Sequence, residues 1–553
     1  MKKRIIRLFS AFVLAIVLTF APISDSYAKS QLDPCAFQLI NLDKYGGEEF
    51  ANPESVSSQN GSLKVDLKVQ YTDKETTEIA GCKVKLRSYN GKLVGPTLRV
   101  KPNDLISINL INTLPPEPKQ EINMNKPHGF NTTNIHTHGL HVLSTGNSDN
   151  VLKEMPPKET DTDPDPNYNI GVKLPANHPS GTFWYHPHKH GSTALQVSSG
   201  MVGAIIVEGG GLDEIPAIKN AEDKIFVFQQ ITYDTKGEID ESYNGFGMDL
   251  NQSAWSLSGR QTTINGQIYP TIRIKPGEMQ RWRFIHAGVR DALNLSLRPV
   301  SISKRIRTQV KLHEIAIDGI ALGTIDSWST LELEPGYRSD VLVQFPSPRN
   351  PLVQEYELVD VATPPEKSLL GVPEDEEVLA KVIVEGNPVK LNDDTNPELP
   401  GSKKFLADLL KAKQKDAPPD ITRIDGRQEV LFDIQLPNQF SDEKAPKFMV
   451  NGTPFDINDP NPITLQLKKA DEWVLKSAFV NHPFHIHVNP FQYTRKDPNG
   501  NDEVIWRDTL LVRQGKDEII KSRYDSFLGK FVLHCHILDH EDQGMMKLVQ
   551  IIQ

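Results

Sequence analysis

The chain has 553 residues, with 61 Lys and Arg against 71 Asp and Glu for a formal net charge of −10. That length exceeds one ordinary hydrophobic core and implies two to four domains. The mildly acidic balance gives no basis for a nucleic-acid or anionic-membrane partner. At the start, Met1-Lys2-Lys3-Arg4 and Arg7 form a positive n-region, the apolar stretch from Leu8 to Pro22 is short for a bilayer span, and Ser26-Tyr27-Ala28 offers small residues for cleavage. Residues 1–28 read as a removable export signal, with an uncleaved anchor as the alternative. The mature protein is expected to be soluble, off the membrane, and periplasmic or secreted.

An alternating strand runs from Pro96 to Lys101, ends in the turn Pro102-Asn103-Asp104 and is followed by a second strand, Leu105 to Ile111. The same pattern returns at Pro270 to Glu278 and, more loosely, at Thr464 to Glu472 before a strand from Trp473 to Phe479. Asn265-Gly266 and Asn451-Gly452 stand ahead of the second and third copies. Copies well over a hundred residues apart indicate duplicated domains, because solenoid periods are far shorter. The expectation is all-β, with three sandwich domains. The first, 29–211, closes with the strand Val202 to Val207 and the punctuation Gly209-Gly210-Gly211. The second, 212–385, closes with Val378 to Val384. A polar, proline-rich connector, 386–426, carries one short helix near Lys403 to Lys413. The third, 427–553, opens with the strand Glu429 to Leu436.

Four histidine clusters punctuate this frame: His136-Thr137-His138-Gly139, Trp184-Tyr185-His186-Pro187-His188, His482-Pro483-Phe484-His485-Ile486-His487, and His534-Cys535-His536 followed by His540 and Met545. They hold ten of the sixteen histidines. Spacing of i, i+2 sets two rings on one face of a strand, where they converge on one metal or on adjacent metals. Imidazole alone leaves copper, zinc, iron and nickel open. A thiolate with imidazoles and a distant thioether describes a blue-copper electron-transfer site, so Cys535 with Met545 selects copper. Neighbouring strand residues point to opposite faces, so Cys535 binds one metal while His534 and His536 reach toward something on the other side.

In this order and spacing the clusters resemble the multicopper oxidases, the family of laccases, bilirubin oxidases and bacterial copper-efflux oxidases, and the likeness spans nearly the whole mature chain. The resemblance implies three cupredoxin-like Greek-key β-barrel domains and four coppers per chain. It matches His482, Cys535, His540 and axial Met545 to the type 1 ligands, and His136 and His485 to the type 2 pair. It matches His138, His186, His188, His487, His534 and His536 to the binuclear type 3 ligands. It further implies that a substrate yields one electron at type 1 copper through the His540 or His482 edge, whichever is the more accessible. Cys535 then passes the electron to the trinuclear centre, where dioxygen is reduced to two waters. Glu541 matches a proton-relay position on the type 3 side, and Asp149 falls at about the place of a second relay near type 2. The bland reading of both is a solvated loop carboxylate. A weakly donating thioether stabilises Cu(II), so Met545 predicts a low- to middle-potential centre.

With Cys535 reduced as a ligand, Cys35 and Cys82 remain as an even pair, either bridged in an oxidising compartment or buried as small apolar side chains. His190 is expected beside the ligands rather than among them, and His141 and His178 on the surface or in turns. Asp508 is placed either to orient a ligand imidazole or to serve as a strand-end carboxylate. The acidic run Glu154 to Pro166 either shapes substrate access or is solvated surface. All clusters fall in the first and third domains, which must therefore meet; His286 and His313 leave the second domain without a ligand and with a holding role. Nine methionines without a cluster beyond Met545-Met546 argue against a dedicated cuprous oxidase, because soft thioethers collect Cu(I). The leading reading is a laccase-type oxidase of phenolic and aromatic reductants with dioxygen. A cuprous, ferrous or manganous metal-ion oxidase is the alternative, and a non-catalytic copper-binding protein a further one.

Overall fold

Alternation between buried and exposed side chains along the strands decides the architecture: Leu105–Asn112 alternates half-buried and buried positions throughout. In the computed structural model the described residues are 35, 46–118, 123–239, 261–300, 310–346, 354–437 and 445–553. The expected export signal lies outside the described residues. Among the described residues strand is the dominant regular structure, forming three sandwiches, each a pair of sheets, with one further two-stranded ribbon, Glu78–Ile79 against Cys82–Lys83.

In the first sandwich a four-stranded sheet containing Ser62–Tyr71 and Leu105–Asn112 faces a five-stranded sheet containing Thr97–Val100, Gly203–Val207, Gly181–His186 and His136–His138. One core draws on both, with Leu63, Leu67, Ile106 and Ile108 against Leu98, Phe183 and Ile205. The second and third sandwiches each pair a six-stranded with a five-stranded sheet around cores of their own.

The threefold echo is an equivalence of position. Thr97–Val100, Thr271–Ile274 and Ile463–Gln466 each pair in parallel with the closing strand of their sandwich, namely Gly203–Val207, Glu377–Val384 and Met546–Ile552. The strand after each copy, Leu105–Asn112, Met279–His286 or Ala470–Ser477, pairs in parallel with an opening strand in the other sheet. Asn265-Gly266 and Asn451-Gly452 are turns with both residues at positive φ, as hairpin turns of this kind require. Asn90-Gly91 is a third such turn ahead of the first copy, visible in the sequence but missed there.

Strands that carry ligand candidates are buried on both faces. Along Gly181–His186 every residue is buried, with Phe183 and Tyr185 in the first core and Trp184 on the opposite face. There Trp184 joins Ala204 and Ile206 from the first sandwich, Ile225, Val227 and Ile285 from the second, and Leu538 from the third. This small cluster joins all three sandwiches. The connector helix runs Lys403–Asp416, three residues beyond its expected end, with Ser402 Oγ accepting the Phe405 N–H as N-cap and Phe405, Leu409 and Ala412 on its buried face. The strand after it begins at Gly426 rather than Glu429.

Cys35 and Cys82 form a disulfide across 47 residues of sequence. Closing a loop of that length restricts the unfolded chain by about 4 kcal/mol in the chain-entropy estimate. The Cys35→Ser/Cys82→Ser double variant is expected to unfold at a clearly lower urea concentration than the parent while retaining its circular-dichroism spectrum; an unchanged midpoint would reject a stabilising role.

Candidate metal centres

Cys535 ends the strand Gly529–Cys535, and His482 opens the antiparallel neighbour His482–Ile486. His540 comes from the helical turn Leu538–Asp542 that follows. Potential ligand atoms of His482, Cys535 and His540 all lie within 4.8 Å of one another, and Met545 is fully buried in the same hydrophobic cluster as Cys535. The Ile537 N–H donates to Cys535 Sγ at 3.3 Å. Burial pushes the Cys535 thiol well above its ordinary pKa, which favours the neutral thiol; a thiolate there needs a cation to share the site.

On the other face of the same strand, His534 and His536 meet the remaining clusters. Strand parity produces this, and ring pairs from one cluster lie side by side: 5.6 Å between centroids for His136 and His138, 5.1 Å for His485 and His487, 5.6 Å for His534 and His536. The first and third sandwiches interleave here, with His136 stacked on His487 and His138 on His485, each at 3.8 Å. Three histidine groups converge: His136, His138 and His485; His138, His186 and His536; His188, His487 and His534. All ten histidines of the four clusters are therefore placed within two adjoining centres. His190, His286 and His313 belong to none of these groups among the described residues.

The nitrogens left over test whether a metal fits. His136 donates from Nδ1 to Asp149 Oδ2 (3.0 Å), His186 from Nδ1 to the Pro187 carbonyl (2.8 Å), His485 from Nδ1 to the Asp508 carbonyl (2.9 Å), and His138 from Nε2 to Asp508 Oδ1 (3.3 Å). Their second nitrogens, Nε2 of His136, His186 and His485 and Nδ1 of His138, are buried without a hydrogen-bond partner. His482 follows the rule with Nδ1 on Ser477 Oγ (2.9 Å) and Nε2 unpartnered. His534 spends Nδ1 on the Cys535 carbonyl (3.0 Å), and its Nε2 lies 3.1 Å from His188 Nε2 and 3.3 Å from His487 Nε2. One lone pair ringed by two further ring nitrogens is a crowding that a shared cation relieves. Burial holds His138, His186, His482, His485, His487 and His536 well below the ordinary imidazole pKa, which keeps them neutral, the form that binds metals. Buried polar atoms are ordinarily paired, so this set of unpaired nitrogens fits metal ions.

Carboxylates surround the cluster. Glu541 is fully buried, with Oε1 accepting from Thr193 Oγ1 (3.0 Å) and lying 3.3 Å from His188 Nδ1, and Oε2 lying 3.1 Å from His534 Nδ1. Asp149 is buried too and accepts from the Thr137 N–H at 2.7 Å as well as from His136. Neither is a solvated loop carboxylate. Asp508, between the strands Asp502–Arg507 and Thr509–Val512, contacts His138 and also closes a strand, so both expectations for it describe one residue.

His178 is the last residue of the turn Pro175–His178, its N–H donating to the Pro175 carbonyl (3.1 Å), so the turn half of its expectation holds; the surface half does not, because His178 is buried, with Nε2 accepting the His141 N–H (3.0 Å) and Nδ1 donating to the Pro179 carbonyl (2.8 Å). His141 is half-buried and bonds the Val488 carbonyl of the third sandwich (2.6 Å). Both fill the seam between sandwiches, where an isolated histidine carries no sequence signal. The holding role expected of the second domain takes a specific form: Arg290 grips Asp539 beside His540 at 2.6 and 2.9 Å, and Arg338 grips Asp508. Asp542 was missed as well; it accepts the N–H groups of Gly191, Thr193 and Ala194 at 2.8–3.0 Å, fixing Leu538–Asp542 to the helix Thr193–Ser198. Its place beside Glu541 was in plain sight, but its partners lie some 350 residues away.

A three-sandwich scaffold with a buried cysteine–imidazole site next to a histidine cluster fits the class of copper-dependent oxidases. Residues 70–211 and 423–552 each match a family described as multicopper oxidase, and the chain belongs to the multicopper oxidase family. It is 26% identical over 523 residues to the multicopper oxidase mco of Staphylococcus haemolyticus, covering 90% of each chain. It is 22% identical to a laccase of Bacillus subtilis, over 84% of this chain and 90% of that one. In fold it is similar to the multicopper oxidase of Campylobacter jejuni described as a metallo-oxidase, with a TM-score of 0.67, 20% identity, and coverage of 97% and 99%. The fold is accordingly cupredoxin-like.

Gly139 follows His138 with φ at +87°, and a Cβ there would stand 2.3 Å from Arg338 Nη2 and 2.6 Å from Asp508 Oδ2. Left-handed backbone alone costs an L-residue about 1–2 kcal/mol, and the overlap adds to it. Gly139→Ala is expected to lower copper content and thermal stability together, measured by metal analysis and calorimetry; a variant matching the parent in both would refute this account of the glycine.

Proposed function

We propose that the protein is a laccase-type oxidase, coupling four one-electron oxidations of phenolic or aromatic reductants to reduction of dioxygen to two waters. The observation that carries it is the set of buried imidazole nitrogens without partners, converging on the two sides of one strand. In this reading His482, Cys535, His540 and Met545 would hold type 1 copper. His136 and His485 hold type 2, and His138, His186 and His536 with His188, His487 and His534 hold the type 3 pair. Copper bound there supplies one-electron redox chemistry at the sulfur-ligated position and dioxygen reduction at the histidine cluster.

The residues do the rest. Cys535 joins the two centres through the backbone of its neighbours, so electrons travel a short covalent path. His482 is fully buried, and beside it the Asn481 N–H and side chain donate to the Leu369 and Ser368 carbonyls of the second sandwich (3.1 and 2.9 Å). His540 retains slight exposure, 4%, which favours its edge for electron uptake from the reductant. Glu541, held between His188, His534 and Thr193, and Asp149, behind His136, are placed to hold and deliver the protons that water formation needs. Burial of the cluster excludes bulk water and keeps partly reduced oxygen from leaking. The reading of residues 1–28 as an export signal supports an activity outside the cytoplasm, and the disulfide suits such a compartment.

A metal-ion oxidase is the second reading, favoured by the likeness to the Campylobacter jejuni metallo-oxidase. Oxygen uptake by the copper-loaded protein across phenols, bilirubin, Fe(II) and Cu(I) separates the two: phenols are expected to give the highest kcat/KM, and a tenfold advantage for either metal ion would overturn the laccase reading. Full metallation with no oxygen uptake from any reductant would support a non-catalytic copper protein. Glu541→Gln is expected to slow reoxidation of the reduced enzyme by about 10²-fold or more in stopped-flow measurements, with bleaching of the blue band by reductant nearly unchanged; parent-like turnover would reject the proton role.

A further inference from the structure

Asp508 is held from both sides. Arg338, on the strand Arg338–Gln344 of the second sandwich, donates from Nη1 to Asp508 Oδ1 at 2.7 Å and from Nη2 to Oδ2. The guanidinium is itself fixed by the carbonyls of Gly336 (3.0 Å) and Asp318 (3.2 Å). Asp318 Oδ2 accepts from the Arg507 Nε–H (3.0 Å) and from the Asp508 N–H (3.3 Å). Arg338, Asp318 and Asp508 are all buried. On its far side Asp508 Oδ1 takes the His138 Nε2–H and the Thr509 hydroxyl (2.8 Å), while its main-chain oxygen takes the His485 Nδ1–H.

A fully buried ion pair adds little net stability, because desolvation offsets its attraction. Its contribution lies in what it holds. His136, His186 and His485 turn Nδ1 outward and leave Nε2 for a metal, whereas His138 turns Nε2 outward and leaves Nδ1. That reversed ring is retained only while an acceptor stands at Nε2. Two acceptors stand there at 3.3 Å, Asp508 Oδ1 and Thr509 Oγ1, and the Thr509 hydroxyl is itself turned by donating to Asp508 Oδ1; Asp508 keeps that place through a fork of fixed geometry on both its oxygens, which arginine supplies and lysine does not.

We propose that Arg338 is a positioning residue for the copper cluster: through Asp508 it sets the ring orientation of His138 and His485, so the sandwich that supplies no ligand governs metal occupancy at the seam of the other two. This rests on the ligand assignment under Proposed function. The reach is short, and it crosses all three sandwiches: His138 from the first, Arg338 and Asp318 from the second, Asp508 and His485 from the third.

The test uses the full-length, copper-loaded protein and two variants, Arg338→Lys, which keeps the charge but not the fork, and Asp508→Asn, which keeps the shape but not the charge. Four quantities are read: copper per chain, the electron paramagnetic resonance signal of non-blue copper, the intensity of the blue band as an internal measure of an intact third sandwich, and the kinetics of oxygen uptake. Both variants are expected to keep the blue band at parent intensity, to show a diminished or altered non-blue signal with weakened copper retention, and to lose oxygen uptake by about 10–100-fold with KM for the reductant unchanged. Parent-like copper content, signal and uptake in both variants would overturn the proposal. So would loss of the blue band alongside the other signals in both, since that would assign the pair to the fold. A parent protein that takes up no copper and shows no blue band would instead defeat the underlying assignment, a result these variants do not resemble.

Discussion

Side chains on an extended strand alternate between two faces, and at His534-Cys535-His536 that alternation becomes a boundary between two chemical environments. One face is the hydrophobic interior of the third sandwich, where Cys535 sits among Phe484, Val549 and Met545. The other is the seam with the first sandwich, where His188 and His487 stand against His534. Two distinct sites are thereby joined by consecutive residues of one backbone. Everything else in the structure serves to hold the seam closed at the right spacing.

Closing it is demanding, because ten imidazoles are buried together, and in His136, His138, His186, His482, His485 and His534 one nitrogen is satisfied while the other faces its centre. Hydrogen bonds from the outward nitrogens do the sorting. Main-chain carbonyls serve His186, His485 and His534, Ser477 serves His482, and the carboxylates of Asp149 and Asp508 serve His136 and His138. Each acceptor fixes a ring tautomer and a ring plane. The second sandwich enters this network through Arg290 and Arg338, whose partners Asp539 and Asp508 belong to the third. A region with no ligand of its own thus bears on both centres.

Much of this was legible in the residues. The His-x-His spacing, the thiolate between two imidazoles, the distal methionine and the repeated strand–turn–strand pattern are local features, governed by the two-residue period of a strand and by turn chemistry. They gave an all-β chain with three sandwiches and the ten histidines that the structure brings together. The helix at Lys403–Asp416 and the closing strands were likewise readable, to within about three residues, from composition and alternation.

Other features carried no local signal. His178 looked like a turn or surface residue; it does close a turn, yet it is buried, with its ring between the His141 N–H and the Pro179 carbonyl. Arg338, Asp318 and Arg290 are ordinary charged residues of a β-rich stretch until the fold sets them against Asp508 and Asp539. The sequence by itself determined which side chains could ligate a metal and which face of each strand they share, because those depend on neighbours one to four residues away. Only the tertiary structure decided which nitrogen of each ring is left free and which carboxylate fixes it. Those choices are made by groups tens to hundreds of residues apart, whose meeting depends on how three independently patterned cores pack against one another.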